Sequence, residues 1–126
     1  MTIPPPPPLP PEPPVRDMPV AELAALVEAG DVYRAKAVFE LAARAGTDTA
    51  AATALGSLTH LPLLRNDRLF HLVSLAWAAI IGLLAAETPY SRQTAYTAFA
   101  DLDPSDQTAL LSYLKAERIE DAHPQL

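Results

Sequence analysis

The sequence predicts an all-α protein: a single compact bundle of about six short helices, one of them central and apolar, preceded by a proline-rich extended arm. Two observations carry that prediction. Half of the 126 residues are hydrophobic, and Ala and Leu dominate that half; both favour helix, and the β-branched residues that favour strand are sparse. Helix-capping residues and helix breakers also recur at helix-length intervals, with the four glycines placed near predicted helix ends or inside apolar runs. The length suits one domain, divided here into an arm (1–16), a helical domain (17–121) and a frayed tail (122–126).

Residues 1–16 hold nine of the fourteen prolines. Proline lacks the backbone N–H and fixes φ, so this stretch enters neither helix nor ladder and samples polyproline II. It is expected to contribute little to folding. Its Pro11-Glu12-Pro13-Pro14-Val15-Arg16 segment resembles the PxxPxR ligand of SH3 domains. That resemblance implies that Pro11 and Pro14 fill aromatic grooves while Arg16 meets an acid. A stiff spacer, or an arm lying along a sister subunit, competes with it, because PxxP arises readily in so proline-dense a run.

Asp17 and Pro19 open the first predicted helix, whose face is Val20, Leu23, Ala24 and Val27 and whose stop is Gly30. Asp31 caps the second, Val32 to Ala45, with Val38, Leu41, Ala42 and Ala45 apolar and Gly46 at its end. The pair reads as a tight αα-hairpin and resembles a tetratricopeptide hairpin without the repeat. Thr47 and Asp48 cap a third helix to about His60, and Pro62 breaks the chain. Asn66 or Asp67 caps a fourth that runs to about Glu87. Thr88-Pro89 opens the fifth and Asp103-Pro104 the sixth, whose apolar face is Leu110, Leu111 and Leu114. At fold level this suits a Greek-key bundle of the death-fold kind or three stacked hairpins.

Residues 69–86 (LFHLVSLAWAAIIGLLAA) carry no charge. Eighteen uncharged residues stand at the lower edge of a membrane span. Arg65 and Arg68 before it and Glu87 after it would place the N-terminus inside. Ser74, Ala78, Gly82 and Ala86 form a row of small residues that lets two backbones approach closely, in lipid or in water. The preferred reading is a helix buried on all sides in a cytoplasmic protein. The amphipathic segments on either side need something apolar to cover, and His71 would fall in the first turn of a span.

Composition excludes several chemistries. There is no cysteine, hence no disulfide, thiolate site or Cys nucleophile. His60, His71 and His123 form no metal-ligand spacing, so no metal and no cofactor is expected. A net charge of −6 without a Lys/Arg cluster argues against nucleic-acid binding. No G-x-S-x-G elbow or Gly-rich phosphate loop occurs. One stretch, Arg65-Asn66-Asp67-Arg68-Leu69-Phe70-His71, resembles the Arg-polar-x4-His element of the HEPN superfamily, all-α domains that often act as ribonucleases. That resemblance implies that Arg65, Asn66 and His71 position and protonate groups around a scissile phosphate. Asn66 is equally a helix cap, and the gap between Arg118 and His123 meets the same loose spacing in the tail.

Elimination leads to a non-catalytic protein–protein interaction module (an adaptor, assembly subunit or regulator). Its partner is another protein or a second copy, reached through the small-residue row or the arm. The HEPN-like ribonuclease and the single-pass membrane protein are the alternatives.

Overall fold

The computed structural model describes residues 2–6, 11–70 and 73–125, with the backbone alone at 68–70. The described residues form an all-α bundle of seven helices with one minimal hairpin. In chain order they are α1 (Val20–Glu28), α2 (Arg34–Arg44), α3 (Thr49–Leu58), α4 (Pro62–Asn66), β1 (Arg68–Phe70), β2 (Val73–Ser74), α5 (Leu75–Ala85), α6 (Pro89–Ala100) and α7 (Pro104–Leu114). Single 3-10 turns stand at Val15–Asp17 and Ile119–Asp121.

Several boundaries follow the expected capping chemistry. Asp48 accepts from Ala50 N–H at the start of α3, and Thr88 accepts from Ser91 N–H at the start of α6, with Pro89 in the first turn. Those bonds satisfy donors that a helix start leaves without an intrahelical partner. Gly30 ends the α1 region at φ +68°, a conformation that suits glycine. Asp31 accepts from Tyr33 N–H, so the turn it organises delays α2 to Arg34. Asp17 lies in the 3-10 turn and Pro19 takes the N-cap position of α1, where Asp17 was expected to cap.

The largest departure concerns the apolar run. The expected helix from Asn66 or Asp67 to Glu87 is divided. Pro62, expected only as a breaker, begins the short α4, and Asp67 turns the chain out of it. An antiparallel hairpin follows, pairing Arg68 with Ser74 and Phe70 with Val73. The long helix starts only at Leu75. Ser74 decides that start: its Oγ accepts from Trp77 N–H at 3.1 Å, and Leu75 N–H is taken by the Asp67 carbonyl at 2.9 Å. A buried serine that can cap competes with helix continuation through itself. The eleven residues of α5 span about 16 Å, roughly half a bilayer core. Residues 69–86 therefore do not form one span, and no described helix is long and apolar enough to cross a membrane.

α5 is nonetheless the central helix. Leu75, Ala76, Trp77, Ala79, Ile80, Gly82, Leu83 and Leu84 are buried along it, against α2, α3, α4 and α6. Its carbonyl Leu83 O accepts from the buried Ser91 Oγ of α6 at 2.7 Å, and Trp77 Nε1–H donates to Asp106 of α7 at 3.1 Å. α2 approaches it closely. A Cβ built on Gly82 would stand 2.6 Å from Ala42 Cβ, and one on Gly46 would stand 3.6 Å from the Ala86 carbonyl. Contacts that ascend together, 42 with 82 and 46 with 86, make the two helices parallel. Three of the row Ser74, Ala78, Gly82, Ala86 are thus engaged within the chain: Ser74 as a cap, Gly82 against Ala42 of α2, and Ala86 against Gly46 just past its end.

Both flanking segments make contacts with the helices. Arg44 donates to the carbonyls of Met18, Val15 and Arg16 at 2.7, 2.9 and 3.0 Å, and Lys36 pairs with Glu12. The proximal arm therefore lies along one side of α2. At the other end Ala122 is buried, and Arg92 donates to the carbonyls of Glu120 and Ala122 at 3.1 and 3.0 Å.

Gly82→Ala tests the close approach. In an open helix that change stabilises by about 1 kcal/mol. Here the new methyl meets Ala42, which has no flexible atoms to withdraw, and overpacking of this kind costs about 1–3 kcal/mol. A lowered Tm in a circular-dichroism melt is the expected outcome.

Candidate functional site

α2 turns Ala37, Val38, Leu41 and Ala42 to the core. Its opposite side carries Val32 just before the helix, then Lys36, Phe39 and Ala43, spaced alternately by four and three positions along one outward stripe. Val32 is 56% and Phe39 51% exposed. Beside this stripe the surface sinks into an open groove of about 570 Å³ where the C-terminal ends of α2 and α5 meet. Its floor is Ala42, Ala43, Gly46, Gly82, Ala85 and Ala86, and its rim is Glu87, His123, Pro124 and Gln125. The groove follows from the packing: the small residues that let α2 and α5 touch leave no side chain long enough to fill the surface above the contact.

The rim is held by a polar cluster centred on Arg92. Its Nη1 donates to Leu84 O at 3.2 Å and its Nε to Tyr96 Oη at 2.9 Å, with the guanidinium 5.4 Å from the Tyr96 ring centre. Together with its bonds to Glu120 and Ala122, this fixes the wall formed by the C-terminal segment. Glu87, at φ +58°, pairs with His123 Nδ1 at 3.0 Å. The hydrogen bond from His123 is the chief cause that lowers the Glu87 carboxyl below its ordinary value; burial opposes it, and the charges of Arg92 and His123 add to it.

The residues singled out from sequence are distributed differently. Arg65 donates through Nε to the carbonyl of the buried Thr59 at 3.0 Å, and Asn66 donates to Pro62 O at 2.9 Å, so both side chains tie their own segment together. The hollow beside them, about 210 Å³, is shared with Leu102, Asp103, Ser105 and Asp106. Two carboxylates there disfavour a phosphate. His71 lies outside the described residues. Pro11 and Arg16 of the arm are exposed, as is Pro14. Among the described residues no group of three or more His, Asp or Glu could hold a metal ion.

A second notch, about 230 Å³, lies between α3 and α6 and is lined by Thr53, Ser57, His60, Tyr90, Thr94 and Thr97. Its threonine hydroxyls donate to carbonyls one turn back in their own helices, and Tyr90 pairs with Thr53. His60 stands 3.5 Å from Asp101. The notch is what remains where Gly56 lets α6 approach α3: a Cβ there would lie 2.4 Å from Thr94 Cγ2.

Set beside protein-family models, curated proteins and solved structures, the chain matches none of them.

Phe39, Ala43, Gly46 and Ala85 did not stand out in the sequence. Phe39 and Ala43 carry a signal, an apolar pair on the face opposite Val38 and Leu41. The groove carries none, because it needs α5 beside α2.

The Glu87–His123 pair predicts a titration. A carboxylate with a depressed pKa contributes stability that is present above the unfolded carboxylate range and is lost as pH falls through the lower folded value. NMR titration should place the Glu87 carboxyl below the ordinary glutamate value. His123→Ala should return it upward.

Proposed function

We propose that this chain is a non-catalytic interaction module that binds another protein through the outer face of α2 and the groove beside it, acting as an adaptor, assembly subunit or regulator. One observation carries the reading: the large apolar ring of Phe39 stands half exposed on α2, one turn before Ala43, which lines an open groove floored by methyl groups and glycine. An exposed aromatic beside an apolar hollow is the kind of surface at which protein contacts concentrate. Burying the rest of Phe39 is worth about 1 kcal/mol from area alone, before the groove is filled.

The polar groups support the same reading. Arg44, Arg65, Arg92, Ser74 and Ser91 all donate to or accept from the backbone. Groups so engaged hold a scaffold in shape and leave little to act on a substrate. A cytoplasmic setting belongs to the proposal. What supports it is that the helical part of the apolar run is covered by the chain's own helices.

Phe39→Glu is the direct test, since it removes the ring and places a charge against the groove without touching the core. Affinity chromatography from the native source, quantified by mass spectrometry, should show partners retained by the wild type and lost by this variant. A variant that folds normally and retains every partner would move the binding surface elsewhere.

The ribonuclease reading has its own check. Single-stranded RNA incubated with the protein in EDTA is expected to stay intact. Cleavage abolished by both Arg65→Ala and His71→Ala, in folded variants, would overturn the proposal, because such groups are needed in the transition state whatever they do in packing.

A further inference from the structure

The groove and the ring beside it lie on one face of one molecule. Phe39 projects from α2 about one turn before Ala42 and Ala43, which begin the groove floor, and Gly46 continues it. A surface that carries both a knob and a hole can satisfy itself: a twofold axis between them brings each knob to the other hole, with the same patch used twice.

We propose that the occupant of the groove is a second copy of this chain, docked with its α2 antiparallel to the first about a twofold axis beside Ala43, so that Phe39 of each copy fills the groove of the other. This rests on the α2 face being the interaction surface, and names its partner.

Register and charge select this occupant. In an antiparallel pair centred between Ala42 and Ala43, Phe39 of one copy is directed to Gly46 in the turn just past the other copy's α2, and the two Ala43 methyls meet near the axis. Large side chain faces glycine and small faces small, which lets the helices close. Moving one turn back from Phe39 reaches Lys36, the cation of the exposed stripe. Because the second helix runs antiparallel, that step travels toward the C-terminal end of the first copy's α2. α5 runs parallel to α2, so its end lies in the same direction, and Glu87 follows there on the groove rim. Each Lys36 is thereby carried toward the Glu87 of the other copy, twice per dimer. In the single chain Lys36 pairs with Glu12 and Glu87 with His123 and Arg92. The Lys36, Glu12, Glu87 and His123 side chains are all about half exposed, so exchanging such partners costs little. The arm meets this stripe at Lys36, through Glu12, and otherwise holds Arg44 through the carbonyls of Val15, Arg16 and Met18; in the dimer Glu12 gives up Lys36 to the Glu87 of the other copy.

Sedimentation equilibrium of the full chain up to about 100 μM, a range that detects weak association, should show a monomer–dimer equilibrium. Phe39→Glu should weaken it at least tenfold. Lys36→Glu should weaken it, and Lys36→Glu with Glu87→Lys should restore it, in variants whose circular-dichroism melts show a folded protein. The absence of native cysteine gives a further readout: oxidised Ala43→Cys should form a disulfide-linked dimer, while a cysteine at the exposed Thr108 of α7 should not. A chain that stays monomeric throughout, or a dimer indifferent to Phe39→Glu and not linked through Ala43→Cys, overturns the proposal. In the first case, a partner from the native source that the wild type retains and Phe39→Glu loses would leave the interaction-module reading standing and remove only its self-association.

Discussion

The rest of the structure depends on covering α5. A helix apolar on every side must be surrounded, and in a chain of 126 residues the cover has to come from short neighbours. α2 comes close, through Gly82 against Ala42, and α6 and α7 are tied on by Ser91 to Leu83 and Trp77 to Asp106. The polar atoms at these contacts are paired, as burial demands; among the described residues no buried side-chain N or O lacks a partner.

The same contact creates the surface feature that matters. Glycine and alanine allow two helices to touch by giving up side-chain volume, and the volume given up reappears outside as a groove. Arg92 then holds the C-terminal segment as the groove's wall, joining α5, α6 and residues 120–122 through carbonyls that the helix ends would otherwise leave open. Scaffold and surface are therefore one design. What stabilises α5 also shapes the hollow beside Phe39.

The proposed role in recognition draws on how the polar groups are used. Arg65 and Asn66, the described members of the motif that resembles a ribonuclease element, bond to carbonyls of their own segment beside two aspartates. The threonine hydroxyls between α3 and α6 turn back on their own helices. The proposed contact would use apolar shape and a few exchangeable surface charges.

The sequence by itself determined the fold class and the positions of several helices. Helix propensity, an Asp or Thr cap and a proline in the first turn are local properties, and Asp48, Thr88-Pro89 and Pro104 act where local rules place them. It also determined that one apolar segment lies at the centre, because nothing else in the chain could be covered on all sides. The tertiary structure decided where that segment becomes helical. Hydropathy along residues 69–86 is uniform, so no periodic signal marks a break; the break comes from Ser74 capping at Trp77 and from Asp67 accepting the Leu75 N–H eight residues on, a bond that exists only once the hairpin closes. It decided the role of the small-residue row, which the sequence offers to any helix and the fold gives to α2. It decided the groove as well, since a hollow belongs to two elements and a sequence displays only one at a time.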